Sequence, residues 1–256
     1  MERAAPLAGK RIVITRPDPD AARLAGRLRS LGAVPIVAPS IEIEFTDPPE
    51  LARALERISE YDWIVFTSKN GVEAVFRLAR ELERRENKPR IAAIGPATAQ
   101  ALRRRGVEAD LIPERYVAEA VLEALGNVSG LKILLPRANI ARRTLVDGLR
   151  EKGAVVEEIA AYRTRSRKAH RARGPEAESL DAADAITFTS SSTVRGYVEN
   201  WPVPPGAKIV CIGPVTARTA AECGLRVDAV AERYTEDGLI AALLDLFAES
   251  AERESQ

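Results

Sequence analysis

Short apolar runs alternate with helical patterns along the whole chain. Runs of β-branched and apolar residues predict strands at residues 11–15, 64–67, 91–94 and 109–112. Leu24, Leu28 and Leu31 recur at helical spacing, and Gly32 marks the end of that helix. The same reasoning predicts helices at residues 21–31, 97–105 and 215–223. Continuous apolar strands that alternate with helices indicate parallel sheets covered on both faces.

The two halves of the chain resemble each other, with blocks offset by 118 to 122 residues. The matched blocks are residues 61–68 with 184–190, 94–99 with 212–217, 114–116 with 232–234, and 28–34 with 149–155. A repeat of about half the chain is too long for a solenoid unit and favours two similar domains. We therefore predict an α/β protein of two doubly wound parallel-sheet domains, each with its ligand site at the carboxyl ends of its strands.

Composition is that of a globular protein. The 256 residues are 46% apolar and 29% charged, with a net charge of +1, which excludes a disordered chain and a strongly basic nucleic-acid binder. No apolar run approaches the ~20 residues of a membrane span, and the N-terminus lacks a signal pattern, so a cytoplasmic location is expected.

Cys211 lies in an apolar run and is predicted to be a buried strand thiol. A low content of thermolabile residues fits a thermophilic source, although a GC-rich genome would give the same arginine bias.

Four predicted strand-to-helix turns carry groups that bind anions. Free N–H groups at a helix N-terminus favour a carboxylate or a phosphate, but Ser and Thr also serve there as ordinary helix caps. Because the turns occur as two matched pairs, we expect a shared anion site. The candidate binding residues are Thr67, Ser68, Lys69, Gly95, Thr98, Ser190, Ser191, Gly213 and Thr216.

Two arginines follow further predicted strands. Arg16 and Arg137 could bind a carboxylate or phosphate through two parallel hydrogen bonds, or could pair with a neighbouring acid. The basic stretch at residues 163–173 is typical of a solvated connection, and the balanced charge argues against nucleic acid. It contains the only histidine, His170, on which a Ser-His-Asp triad or a histidine-rich metal site would depend. P-loop, Rossmann, nucleophile-elbow and H-E-x-x-H patterns do not occur, so we expect no metal and no cofactor.

Six blocks together carry a family resemblance. They are ITRP at 14–17, VFTSKNGV at 65–72, AIGPATA at 93–99, IAAYRT at 159–164, ITFTSS at 186–191 and CIGPVTA at 211–217. In order and spacing, over nearly the whole chain to about residue 247, they resemble the uroporphyrinogen-III synthase family. The resemblance implies a discontinuous domain of residues 1–36 and 165–256, a second domain of 43–156, linker strands at 37–42 and 157–164, and a cleft between the domains.

The resemblance also implies a reaction. Enzymes of this family close the linear tetrapyrrole hydroxymethylbilane to uroporphyrinogen III, with loss of water and inversion of the last ring. Tyr162 matches the family's tyrosine in the linker block and is the candidate proton donor, although an ordinary strand tyrosine would give the same pattern. The expected partner is the small-molecule tetrapyrrole, with no nucleic acid and no membrane, and the protein is expected to be a monomer.

Two other functions stay open at this point. One is a two-domain binding protein for an anionic small molecule, without chemistry. The other is a sugar-nucleotide transferase with two Rossmann-like domains, for which each half of this chain is short.

Overall fold

The computed structural model describes residues 5–17, 20–79, 88–167 and 180–254. Its strands are β1 Arg11–Ile14, β2 Val34–Val37, β3 Ile41–Phe45, β4 Trp63–Phe66, β5 Arg90–Ala93, β6 Lys132–Ala138, β7 Val155–Ser166, β8 Ala185–Phe188, β9 Lys208–Cys211 and β10 Ala229–Val230. Its helices are α1 Asp20–Ser30, α2 Pro49–Glu56, α3 Lys69–Leu78, α4 Pro96–Arg103, α5 Ala118–Leu125, α6 Thr144–Glu151, α7 Ser191–Asn200, α8 Pro214–Glu222 and α9 Glu236–Glu254. His170 and the end of the basic stretch lie outside the described residues.

The strands form two five-stranded sheets. One has the order β10-β9-β8-β1-β2 and the other the order β3-β7-β6-β4-β5. The pairings β1–β2, β1–β8, β8–β9 and β9–β10 are parallel, as are β4–β5, β4–β6 and β6–β7. These findings confirm the predicted α/β class with two parallel sheets.

The sheets belong to two compact units. Unit 1 comprises residues 1–42 and 165–256, and unit 2 comprises residues 43–164. The two sheets are built alike, because β9, β8, β1 and β2 of unit 1 occupy the same order as β5, β4, β6 and β7 of unit 2. Even β10 has a counterpart, since Leu111 makes a single parallel bridge to Ala92 of β5.

Helices cover both faces of the sheet in unit 1. Ile12 and Ile14 of β1 pack in a cluster with Leu24 of α1 and Leu239 of α9. The intervening Val13 points to the opposite face, in a cluster with residues of α7. Alternate strand residues thus enter two separate cores, which explains why Ile12, Val13 and Ile14 are all apolar. Burial of each such side chain contributes about 1.5–3 kcal/mol.

Unit 2 repeats this arrangement around β4. Ile64 and Phe66 pack with residues of α3 and α4, whereas Trp63 and Val65 pack on the other face with residues of α5 and α6. Cys211 of β9 in unit 1 is fully buried, as predicted, and burial raises the pKa of its thiol to about 12. Among the described residues, no helix is long and apolar enough to cross a membrane.

Two predicted strands are wrong in detail. A continuous strand across residues 37–42 is interrupted after Val37, because Pro39 cannot donate to a ladder and Ser40 turns inward. The buried Ser40 hydroxyl donates to the carbonyl of Thr193 at 2.8 Å. The strand predicted at 109–112 is reduced to the bridge at Leu111, and the side chain of Asp110 accepts the N–H of Ile91 at 2.6 Å.

Candidate active site

Ser68 and Tyr162 meet beside the carboxyl end of β4 in unit 2. Ser68 caps α3, because its Oγ accepts a hydrogen bond from the backbone N–H of Gly71 at 3.1 Å. The same Oγ shares a hydrogen bond of 2.8 Å with Oη of Tyr162. The cap therefore also holds the hydroxyl of the candidate proton donor in place.

A β-bulge turns Tyr162 toward the interior. The register of β6 and β7 shifts so that Arg137 pairs with Ala160 and Ala138 pairs with Tyr162, which leaves Ala161 as the extra residue. Ile159 and Ala161 are buried and Ala160 is exposed, so strict alternation would place Tyr162 outside. The bulge restores Tyr162 to the buried face, where only 6% of it is exposed.

The surroundings of Tyr162 keep the phenol protonated at neutral pH. Burial raises its pKa above the ordinary value, and this outweighs hydrogen bonds from Ser68 and Asn70 and the positive charge of Arg137, which lower it. These groups would stabilise the phenolate after a proton leaves. Tyr162 can therefore donate a proton at this site, because the neighbouring groups stabilise the phenolate that remains.

Arg137 is the last residue of β6 paired before the register shift, and its positive charge acts on Tyr162. Its side chain is only 4% exposed, and burial lowers its pKa, although the charge of Glu158 acts in the opposite direction. One Nη2 hydrogen is donated to the carbonyl oxygen of Arg142. Its Nε and Nη1 atoms are buried and make no hydrogen bond to any of the described residues.

Gly95 and Gly213 begin α4 and α8, each followed by a proline at the first helical position. Both glycines have extended backbones, so the requirement is space rather than an unusual conformation. A Cβ on Gly95 would lie 3.0 Å from Cγ of Tyr116, and one on Gly213 would lie 3.2 Å from the ring of Tyr234. Each turn thus packs a tyrosine ring directly against backbone.

The serine turn of unit 1 is held by hydrogen bonds within the protein. Ser190 and Thr193 form a reciprocal capping box at the start of α7. The hydroxyl of Ser191 lies 2.8 Å from that of Thr219 in α8 and shares a hydrogen bond with it. Both serines are half-buried. The predicted binding hydroxyls of this turn therefore already have protein partners.

Arg16 is engaged in an ion pair. Its Nη1 lies 2.9 Å from Oε2 of Glu236, at the start of α9, and the two side chains are 11% and 12% exposed. Arg23 and Arg27 also contact Glu236. Burial raises the pKa of this carboxyl, but the three arginines more than offset the effect and leave it lowered. A binding role for Arg16 stays a prediction.

The other candidates occupy neighbouring positions. Thr98 and Thr216 lie in the first turns of α4 and α8, and each is only 4% exposed. Thr67 and Lys69 flank Ser68 and are half-buried. Unit 2 thus carries six predicted residues at or just after the carboxyl ends of the adjacent strands β6, β4 and β5: Thr67, Ser68, Lys69, Gly95, Thr98 and Arg137. Within the described ranges, no group of His, Cys, Asp or Glu is arranged to hold a metal.

Comparisons with known proteins agree with this architecture. The family model described as uroporphyrinogen-III synthase HemD matches residues 22–241. The chain belongs to the uroporphyrinogen-III synthase family. A putative uroporphyrinogen-III synthase of Methanothermobacter thermautotrophicus is 35% identical, over 91% of this chain and 96% of its own. The uroporphyrinogen-III synthase of Synechococcus elongatus is also 35% identical, over 93% and 96%.

Solved structures support the fold. A mutant uroporphyrinogen III synthase from the extremely thermophilic bacterium Thermus thermophilus has a TM-score of 0.65 at 20% identity, covering 94% of this chain and all of the other. The corresponding synthetase of Helicobacter pylori has a TM-score of 0.62 at 16% identity, covering 93% and 99%.

Two contacts of the candidate residues could not be predicted from the local sequence pattern. Asn70 acts on the Tyr162 hydroxyl and lowers its pKa, and the sign of Asn70 in the sequence is its place in the block at 65–72. Glu236 neutralises Arg16 from 220 residues away. The repeated block Glu-Arg-Tyr, which ends two residues before Glu236, was the available signal for the second contact.

Proposed function

We propose that this chain forms uroporphyrinogen III from hydroxymethylbilane with Tyr162 as the proton donor and the strand-end turns as carboxylate-binding positions. Family membership establishes the activity itself: a uroporphyrinogen-III synthase, a hydro-lyase of tetrapyrrole biosynthesis. The observation that carries the assignment of the donor is the hydrogen bond between Ser68 and the buried phenol of Tyr162.

The first chemical step is loss of water from the hydroxymethyl group of the first ring. Tyr162 gives its proton to the hydroxyl oxygen as the carbon–oxygen bond breaks, so that water leaves and an azafulvene cation forms. For this, the Ser68 hydroxyl donates to Oη of Tyr162, which leaves the phenol proton directed at the substrate. Ser68, Asn70 and Arg137 then stabilise the phenolate.

Ring inversion depends on how the bilane is held. The last ring attacks the cation through its substituted carbon, and fragmentation and reclosure of the resulting spiro intermediate turn that ring over. Without enzyme, the last ring closes through its unsubstituted carbon, so the enzyme must favour attack through the substituted carbon. Positioning of this kind can supply a large part of the rate enhancement without additional catalytic groups.

The acetate and propionate groups of the substrate match the chemistry of the turns. Helix N-termini favour anions, and hydroxyls beside them add hydrogen bonds. We assign carboxylate binding to Thr67, Ser68, Lys69, Gly95 and Thr98 in unit 2, and to Ser190, Ser191, Gly213 and Thr216 in unit 1. The cytoplasmic location, the monomeric state and the cleft stay predictions.

The test is conversion of hydroxymethylbilane by purified protein treated with a chelator. The products are oxidised and their isomers separated. We expect the type III isomer in excess of the spontaneous reaction. If only the type I isomer forms, as in spontaneous closure, the chain is not this enzyme under these conditions and the non-catalytic binding protein gains support.

A further inference from the structure

The two units place an arginine at equivalent positions but give it different surroundings. Arg16 follows β1 and Arg137 lies near the end of β6, and these strands correspond in the two sheets. Arg16 is paired with Glu236 at 2.9 Å. Arg137 is 3.5 Å from Oε1 of Glu158, a carboxylate in a more exposed side chain, and makes no hydrogen bond to it.

The sequence repeat explains why Arg137 lacks the partner that Arg16 has. Tyr116 and Tyr234 are matched residues, and each packs against the glycine of its own helix turn. Two residues after Tyr234 stands Glu236, the first residue of α9. Two residues after Tyr116 stands Ala118, the first residue of α5. Unit 2 therefore has alanine where unit 1 has the neutralising carboxylate.

The result is a buried guanidinium with unused donors beside the candidate proton donor. Within the described part of the chain, Nε and Nη1 of Arg137 have no hydrogen-bond partner, and the charge of Arg137 acts on Tyr162. A buried charge without full hydrogen bonding is costly, whereas a carboxylate matches a guanidinium in geometry and charge. The carbonyl that Arg137 does contact belongs to Arg142, an exposed residue of the connection between β6 and α6, so a charged ligand group could replace it.

We propose that Arg137, and not Arg16, binds a carboxylate group of the tetrapyrrole, and that Arg16 serves as a structural ion pair in unit 1. The proposal rests on the proposed function for the identity of the ligand. It places one acetate or propionate of the substrate beside Tyr162, which fixes the ring nearest the proton donor.

Transplanting the unit 1 carboxylate provides the test. Ala118→Glu places an acid at the first position of α5, where a helix tolerates it, and supplies Arg137 with an internal partner. Ala118→Gln is the matched neutral control. Arg137→Gln removes the charge directly, and urea unfolding of each variant establishes that it is folded.

Binding of uroporphyrinogen III, measured anaerobically by calorimetry, is the primary readout, with KM and kcat for hydroxymethylbilane measured in parallel. We expect Ala118→Glu and Arg137→Gln to raise the Kd by about tenfold, the scale of one charge-assisted hydrogen bond, and Ala118→Gln to leave it near the parental value. We expect a larger effect on KM than on kcat.

The two proposals fail in different ways. A parent protein that binds uroporphyrinogen III with the expected dependence on Arg137, but yields only the type I isomer, contradicts the proposed function alone. If folded Arg137→Gln and Ala118→Glu bind uroporphyrinogen III with the parental Kd, Arg137 does not bind the carboxylate, whichever isomer the parent produces. If the parent itself does not bind uroporphyrinogen III, the role of Arg137 is overturned as well.

Discussion

Replacing Tyr162 by Phe removes one buried oxygen and leaves the aromatic ring in place. The ring packs near Phe45, with 6.3 Å between centroids, and this contact is retained. The lost hydrogen bond to Ser68 joins two neutral groups, so its loss should cost about 0.5–1.5 kcal/mol of folding free energy. General-acid assistance typically contributes about 10²–10⁴-fold, so we expect turnover to fall by more than tenfold.

Tyr61→Phe is the matched control. Tyr61 is also a buried phenol of unit 2, but it lies before β4, at the opposite end of that strand from Ser68. Its Oη donates to Oε2 of Glu157 at 2.6 Å. A hydrogen bond to a charged group contributes about 1.5–3 kcal/mol, so this control should be the less stable variant and yet keep the parental turnover.

The assay pairs urea unfolding with initial rates at saturating hydroxymethylbilane, followed by oxidation and isomer analysis. We expect Tyr162→Phe to be the more stable but less active of the two variants, and this result would separate an effect on catalysis from an effect on folding. Turnover of Tyr162→Phe within twofold of the parent would refute its role as proton donor. Equal loss of activity in Tyr61→Phe would show that the effect arises from packing of unit 2.

Other residues give independent predictions. Thr98→Ala and Thr216→Ala should each weaken uroporphyrinogen III binding by about 1 kcal/mol, and the double variant should lose about twice that. Parental affinities in calorimetry would show that both threonines belong to the helices without contributing to binding. Glu236→Gln should lower the free energy of unfolding, measured by urea denaturation, by about 3 kcal/mol, because Arg16 is then buried without a charged partner. An unchanged urea midpoint would contradict this prediction. The folded-state pKa of Glu236 is lowered, so its contribution to the free energy of unfolding is present above the ordinary Glu pKa of about 4.3 and is lost as the pH falls through the folded value. When urea unfolding is repeated below about pH 4, the parent should therefore lose more stability than Glu236→Gln.

The fold could be predicted from local pattern because each strand and helix carries its own signal. Val13 shows why: both faces of its sheet are covered, so β1 is apolar from Ile12 to Ile14 and lacks the polar alternation of a half-exposed strand. Gly32, Gly106 and Gly224 have φ of 87°, 81° and 80°, which accounts for the helix ends placed there. The linker strand at 37–42 was expected from the family resemblance, and the structure breaks it after Val37, where Pro39 cannot donate to a ladder.

The site could be predicted as a set of strand-end residues but not as a set of contacts. The hydrogen bond of Ser68 to Tyr162 spans 94 residues and depends on a bulge at Ala161 that leaves no mark in the sequence. Without the bulge, alternation would direct Tyr162 away from Ser68. Arg16 and Arg137 likewise occupy equivalent positions in the repeat, but Arg16 is paired with Glu236 at 2.9 Å, whereas Glu158 lies 3.5 Å from Arg137.

The most direct test of the account is hydrogen–deuterium exchange with and without uroporphyrinogen III under anaerobic conditions. If the strand-end turns hold the carboxylates, ligand should slow exchange of backbone N–H groups at residues 67–71, 95–98, 190–193 and 213–216. The strands that precede these turns, already buried, should change little and serve as the internal reference. Protection in all four turns, from both units, is the predicted result. Protection confined to other segments, with these turns exchanging at their free rates, would contradict the proposed site.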